Sequence, residues 1–135
     1  MALTAEELAH VHASVVRSIE TRDAALFASL YTEDGALHLP DGSAISGRAK
    51  IGAAFETWLE AGFVRQEVEV LALISDETLA VEEGRARGTF STPTGDQVSE
   101  STYLITHRLQ PDGRWLIHRD MWTAAASAGS ATAGY

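Results

Sequence analysis

Near the end of the chain, in WLIHRDMWT, three side chains capable of chemistry or ring contact fall at alternate positions: His118, Asp120 and Trp122. Side chains of a strand point to its two faces in turn, so these three share one face. A neutral imidazole beside a carboxylate is equipped to act as a general base. A phenol held close by donates to a carbonyl or enolate oxygen. The preceding stretch, STYLITHRL, supplies such a phenol in Tyr103, in phase with Ser101, Ile105 and His107. One strand further back Glu83, Arg85 and Arg87 alternate in the same way. If all these faces line one cavity, it holds two carboxylates, two guanidiniums, two imidazoles and a phenol. Unpaired buried charge is costly, so Arg85–Asp120 and Glu83–Arg87 ion pairs are expected, with His118 as base and Tyr103 as donor. A plainer reading stands beside this one. Glu–Arg pairs across a sheet are ordinary stabilisers, and a one-residue change of phase swaps the two faces.

These groups need a frame. Thr4 followed by Glu7 has the capping-box pattern, in which the hydroxyl accepts from a free amide of the first turn. Leu8, Val11, Val15 and Ile19 recur at spacings of three and four, which predicts an amphipathic helix to about residue 21. Asp23 caps a second short helix carrying Leu26, Phe27 and Leu30. A strand over Ala36 to Leu39 closes at Pro40-Asp41-Gly42. Gly47 opens a third helix, with Ile51, Phe55, Trp58 and Leu59 on one side, ending near Gly62. Four strands follow: Val64 to Ile74 (Val68, Val70, Ala72 and Ile74 in phase), Thr78 to Ser91, Asp96 to Leu109, and one after Pro111-Asp112-Gly113. Short turns between long strands predict an antiparallel meander. Three helices with apolar stripes must then cover one face of it, which is an α+β architecture.

At 135 residues the chain is one domain with a real core. A net charge of −9 argues against nucleic acid and against anionic membrane as partners, since both attract basic surfaces. With no cysteine, disulfides, thiolate nucleophiles and thiolate metal sites are excluded. No histidine pair has useful ligand spacing, so no metal is expected; His10 and His12, two apart on a helix, cannot share a face. MALTAEELAH lacks a basic and apolar leader pattern, and a cytoplasmic protein is expected. The tail AAASAGSATAGY reads as a flexible segment (124–135) after a single domain (1–123).

The phrase LYTEDGALHLPDGSAISGRAKIGAAFETWL resembles the SnoaL-like and ketosteroid-isomerase-like branches of the nuclear transport factor 2-like superfamily. The resemblance runs from Leu8 to Thr123. It implies a cone: a curved antiparallel sheet with three helices packed on its concave face, and a pocket between them. It also implies a homodimer, no cofactor, and a small-molecule ligand or substrate. In this fold Trp58, Phe55 and Trp122 would line the apolar end of the pocket. Ketosteroid-isomerase catalytic positions map onto Leu39, Val15 and Ile105, none of which can do that chemistry. With Leu39 inward, His38 points away and is structural. Limonene-epoxide-hydrolase-like members carry Arg-x-Asp on one strand and an Asp on the last; here Arg85 and Asp120 match, but the middle acid is Arg87.

Three functions stay open. The chain is a cofactor-free isomerase, cyclase or hydratase for an oxygenated polyketide-like or terpenoid-like metabolite, or a non-catalytic binder, or an assembly domain. A closed pocket holding His118, Asp120 and Tyr103 favours the first, with Leu39, Ile105, His107, Glu83, Arg87 and the aromatic residues as ligand contacts. Glu83, Arg85 and Arg87 crossing a subunit interface favours the third.

Overall fold

The structure, a computed structural model, describes residues 1–124. The first helix, α1 (Ala5–Glu20), starts at the capping box: Glu7 N donates to Thr4 Oγ1, and Thr4 N donates to Glu7 Oε1, each at 3.1 Å. Asp23 caps α2 (Ala24–Ser29) by accepting from Leu26 N at 2.9 Å. The third helix, α3 (Arg48–Glu60), buries Ile51, Phe55 and Leu59. It ends at Gly62, whose φ of 108° and close approach to the Ser91 backbone leave no room for a side chain.

Six strands form one curved sheet: β1 (Tyr31–His38), β2 (Ala44–Ser46), β3 (Phe63–Ser75), β4 (Leu79–Thr92), β5 (Gly95–Leu109) and β6 (Trp115–Ala124). Their spatial order is β2-β1-β6-β5-β4-β3. The β3-to-β6 run is the expected antiparallel meander, and β1 adds to β6 in parallel. Two features differ from the sequence analysis. The first strand begins at Tyr31, not Ala36, and the acid-rich Thr32-Glu33-Asp34 stretch belongs to it. The turn at Pro40-Asp41-Gly42 returns the chain as β2, a short edge strand paired to β1. The expected flexible tail falls, from residue 125 onward, outside the described residues.

The core lies between helices and sheet. Phe27 stacks on Phe55 with ring centroids 4.0 Å apart, and Phe55 meets Phe63 edge-on. Val15, Ile19, Leu37 and Ile117 close around them.

Local bulges decide which strand residues face inward. On β6, His107 pairs with Ile117 and Thr106 with Arg119, so His118 is the extra residue of a bulge. On β3, Val70 pairs with Gly84 and Ala72 with Glu83, so Leu71 is extra there. Each insertion reverses the phase beyond it. Val68 and Ile74, expected on one face, therefore lie on opposite ones, and Ile74 is 73% exposed.

Candidate functional site: a cavity with two unlike carboxylates

Between the sheet and the helices lies a cavity of about 480 Å³. Phe27, Trp58, Phe63, Phe90 and Trp122 supply rings to its wall, with Trp58 and Trp122 edge-to-face at 6.2 Å. Gly88 and Ala86 face it from β4 and leave the space that larger side chains would fill. Exposed Asp41 and Ser99 mark its mouth. The polar groups on the remaining wall include His12, Tyr31, Tyr103 and Asp120.

Asp120 owes its state to the row it stands in. Across the sheet it is in register with Leu37 on β1 and Ile105 on β5, so both flanking side chains are apolar. Burial pushes its carboxyl up to about 7, helped by the charge of Glu82 and opposed by a hydrogen bond from Tyr31. Tyr31 Oη donates to Asp120 Oδ2 at 3.2 Å, and burial followed by the Asp120 charge drives the Tyr31 phenol well above its ordinary range. A carboxyl poised near neutrality in an apolar cavity can both take and give a proton.

Glu82, on the other side of Ile105, is its opposite. Two strand spacings separate the two rows, roughly 10 Å. Glu82 is fully buried, and burial alone would raise its carboxyl. Hydrogen bonds from His107 and His12, the charge that His12 carries when protonated and a further bond from Tyr103 outweigh that and leave it at about 2. The contacts are short: His107 Nε2 at 2.9 Å, His12 Nε2 at 2.6 Å and Tyr103 Oη at 2.5 Å. Gly84 makes this arrangement fit, because a Cβ there would fall on the Tyr103 phenol. His107 Nδ1 is buried without a partner. A bare ring nitrogen costs less there than an orphaned N–H, so the His107 proton sits on Nε2, toward Glu82.

The sequence-predicted residues divide clearly. Asp120, Tyr103, Trp122, Trp58, Leu39 and Ile105 all line the cavity. Phe55 is wholly buried in the core, and His107 lies equally buried with Glu82. His118 does not join them: the β6 bulge turns it toward Thr32 Oγ1, 2.9 Å from Nδ1, with Asp34 at 3.7 Å. Burial, followed by the charge of Arg119, lowers its pKa.

Glu83, Arg85 and Arg87 are on the outer face, one residue out of phase with the expectation, since it is Glu82 that pairs across to Ile105. The expected Arg85–Asp120 and Glu83–Arg87 pairs do not form. Arg85 reaches Glu69 at 3.5 Å and Arg87 reaches Glu100 at 2.7 Å, both exposed. His38 is in register with Met121, away from the cavity.

Glu82, His12 and Tyr31 are among the polar residues of the site that the sequence reading does not find. His12 lies four residues after Leu8 and three before Val15, on the apolar stripe of α1, and that spacing was a usable signal. The run Glu82, Gly84, Ala86, Gly88, Phe90, small or apolar at all but one position, marked the inward face of β4. Nothing comparable points to Tyr31, which precedes the strand expected over Ala36 to Leu39.

Among the described residues no group of three or more His, Asp or Glu side chains is arranged to hold a metal ion, and no described helix is long and apolar enough to cross a membrane.

Comparison with known proteins bears on most of the chain. Residues 12–118 match the model of the SnoaL-like domain. A search of curated proteins finds no match. Among solved structures, a nuclear transport factor 2-like superfamily protein from Salmonella enterica superposes with a TM-score of 0.78 at 18% identity, covering 96% of each chain. A ketosteroid isomerase-like protein from Erwinia carotovora gives 0.76 at 18% identity, over 92% of this chain and 100% of that one. A variant of a Mycobacterium tuberculosis protein of unknown function gives 0.77 at 22% identity, over 92% of this chain and 73% of that one. At such identities the likeness is one of fold. The domain match, spanning most of the sequence, carries the assignment: with the fold of nuclear transport factor 2-like proteins, the chain belongs to the SnoaL-like family.

Proposed function

We propose that this protein is a cofactor-free acid–base enzyme, an isomerase, cyclase or hydratase, in which Asp120 moves the proton. The observation that carries this reading is the Asp120 carboxyl, set in the cavity wall between Leu37 and Ile105 with a single phenol against it, where burial pushes it up to about 7. Such a group is half protonated near neutrality, where proton transfer in both directions is fastest. When Asp120 holds the proton it accepts more weakly, and the Tyr31 hydroxyl can turn to a substrate oxygen as donor.

The wall also speaks to the substrate. Neither arginine nor lysine lines the cavity, while Asp41 and Asp120 do. An anionic substrate would meet like charge and no counter-charge, so an uncharged one fits better. The volume and aromatic lining suit a compact, oxygenated ring system of polyketide-like or terpenoid-like character. Solvent-deuterium exchange into 2-tetralone, an uncharged bicyclic ketone, tests the reading. Wild type should accelerate exchange next to the carbonyl, and Asp120→Asn should not. If 2-tetralone raises the thermal midpoint of both proteins but neither accelerates exchange, the cavity binds without catalysis.

We also propose that the protein is a homodimer through the outer sheet face. Leu104 and Met121, cross-strand partners there, are 49% and 48% exposed. Leu104→Glu should halve the sedimenting mass; a monomeric wild type would refute the dimer.

A further inference from the structure

Asp120 reaches the cavity from the sheet, and a second titratable side chain reaches it from the helical layer. His12 sits on the inward stripe of α1 and forms part of the cavity wall. Its Nε2 lies 2.6 Å from Glu82 Oε2. Glu82 is a carboxylate and can only accept, so the proton of this bond is on His12 Nε2. In the neutral ring that leaves Nδ1 as a bare acceptor. Among the described residues no group bonds to Nδ1, and it is not sealed away as His107 Nδ1 is. His107 and Tyr103 hold the same carboxylate, so Glu82 is anchored by three donors and cannot swing to release His12.

We propose that His12 is a second proton-transfer residue of the cavity, fixed in one tautomer by Glu82 so that Nδ1 serves a substrate held between it and Asp120. This rests on the acid–base reading of Asp120 and adds its complementary partner. The groups around His12 are Glu82, Tyr103, which bonds the same carboxylate oxygen, and, on the cavity wall, Asp120 and Tyr31.

The substrate class is an uncharged, enolisable ketone. Protonated Asp120 gives its proton to the carbonyl oxygen while His12 Nδ1 takes one from the adjacent carbon. The C–H electron pair becomes the C=C bond of the enol, and the carbonyl π pair forms the new O–H bond. Asp120 is left as the carboxylate and His12 as the imidazolium, with Nε2–H still on Glu82. Reversal restores both groups and consumes nothing. Glu82 is a positioning residue: it sets the tautomer and stabilises the imidazolium without touching substrate.

The test is the deuterium exchange of 2-tetralone, followed by proton NMR with four variants. His12→Gln keeps an amide N–H for Glu82 but has no titratable atom, and it should slow exchange by about 100-fold or more. Asp120→Asn should do the same, and exposed His10→Gln should behave as wild type. Glu82→Gln should give an intermediate loss, because its amide permits either ring tautomer. Exchange lost in Asp120→Asn but within threefold of wild type in His12→Gln overturns this proposal and leaves the role of Asp120 standing. No acceleration by wild type refutes both. Should His12→Gln fail to fold, nitrogen-15 spectra of the wild-type histidines decide: the neutral His12 ring should carry its proton on Nε2 and leave Nδ1 bare. A neutral His12 protonated on Nδ1 would overturn the assignment.

Discussion

Tyr103 donates its phenolic hydrogen to Glu82 across 2.5 Å, and that commits the one proton the phenol has. Burial, then the Glu82 bond, raises the Tyr103 pKa far above its ordinary value, so the group neither ionises nor turns to a ligand without breaking the anchor of a buried charge. Tyr103 therefore presents only a lone pair to the cavity. The oxyanion donor suggested by the sequence is better supplied by Tyr31, whose partner Asp120 can take up a proton and so loosen its hold on the phenol.

Replacing Asp120 should stabilise the protein above neutral pH. Folded Asp120 holds its proton more tightly than the unfolded chain does, with a pKa of about 7 against an ordinary 3.8. Its contribution is present in full below the lower value and is lost as pH rises through the higher one. The limit of the effect is roughly 4 kcal/mol, reduced by whatever water the cavity admits. Asp120→Asn, which keeps an acceptor for Tyr31, should have a higher thermal midpoint than wild type at pH 8 and nearly the same one at pH 4. An Asp120→Asn protein that is less stable at pH 8 would mean the carboxylate has a partner in solution that this structure does not give it.

Glu82 should behave in the opposite sense. Its folded pKa is depressed to about 2 from an ordinary 4.5, so its stabilisation is present above the higher value and lost as pH falls toward the lower one. That is on the order of 3 kcal/mol of acid sensitivity from one residue. Glu82→Gln should lower stability at pH 7 by roughly 3–5 kcal/mol, since three buried donors then share one neutral acceptor. The gap between variant and wild type should close between pH 4.5 and pH 2. Urea denaturation at those pH values measures it; a gap that stays constant would show that Glu82 is not charged in the folded state.

The helices were legible because their signals are local. Thr4, Asp23 and Gly47 mark where each begins, and apolar spacing shows which side is buried. The meander was legible from its turns. Pairing to β1 was not, because a parallel partner brings no connecting turn to announce it. The site was half legible for one reason. Strand phase carries over only as far as the next bulge, and the bulges at His118 and Leu71 have no distinctive sequence. Choosing the odd residues of β4 over the even ones then lost Glu82 and gained Arg85 and Arg87, although charge at every second position is what a solvated outer face carries.

That outer face makes a prediction of small effects. Arg85 and Arg87 pair with Glu69 and Glu100 in the open, where ion pairs contribute little. Arg85→Ala and Arg87→Ala should each leave stability nearly unchanged and 2-tetralone exchange unchanged. His118→Ala removes one hydrogen bond to Thr32 and should cost about 1 kcal/mol, again without effect on exchange. Loss of exchange in Arg85→Ala would return that residue to the site and contradict the phase of β4 seen here.

Gly84 should tolerate a methyl group far less well than Gly88, although both lie on the inward face of the same strand. A Cβ at Gly84 falls on the Tyr103 phenol and on the Glu69 backbone carbonyl. The carbonyl is held in the β3–β4 ladder beside the Leu71 bulge and cannot yield, and the phenol can move only by releasing Glu82. At Gly88 the nearest atom is Phe63 Cε1, at 3.3 Å, the edge of a ring bordering open cavity. Gly84→Ala should therefore cost about 3 kcal/mol or more, joining overpacking to a broken buried hydrogen bond. Gly88→Ala should cost under about 1 kcal/mol, because relief of unfolded-chain entropy offsets a slight shift of the ring. Thermal or urea denaturation of the two variants separates them. Equal costs would mean that Tyr103 has an alternative place to rest, and with it a proton free for the cavity.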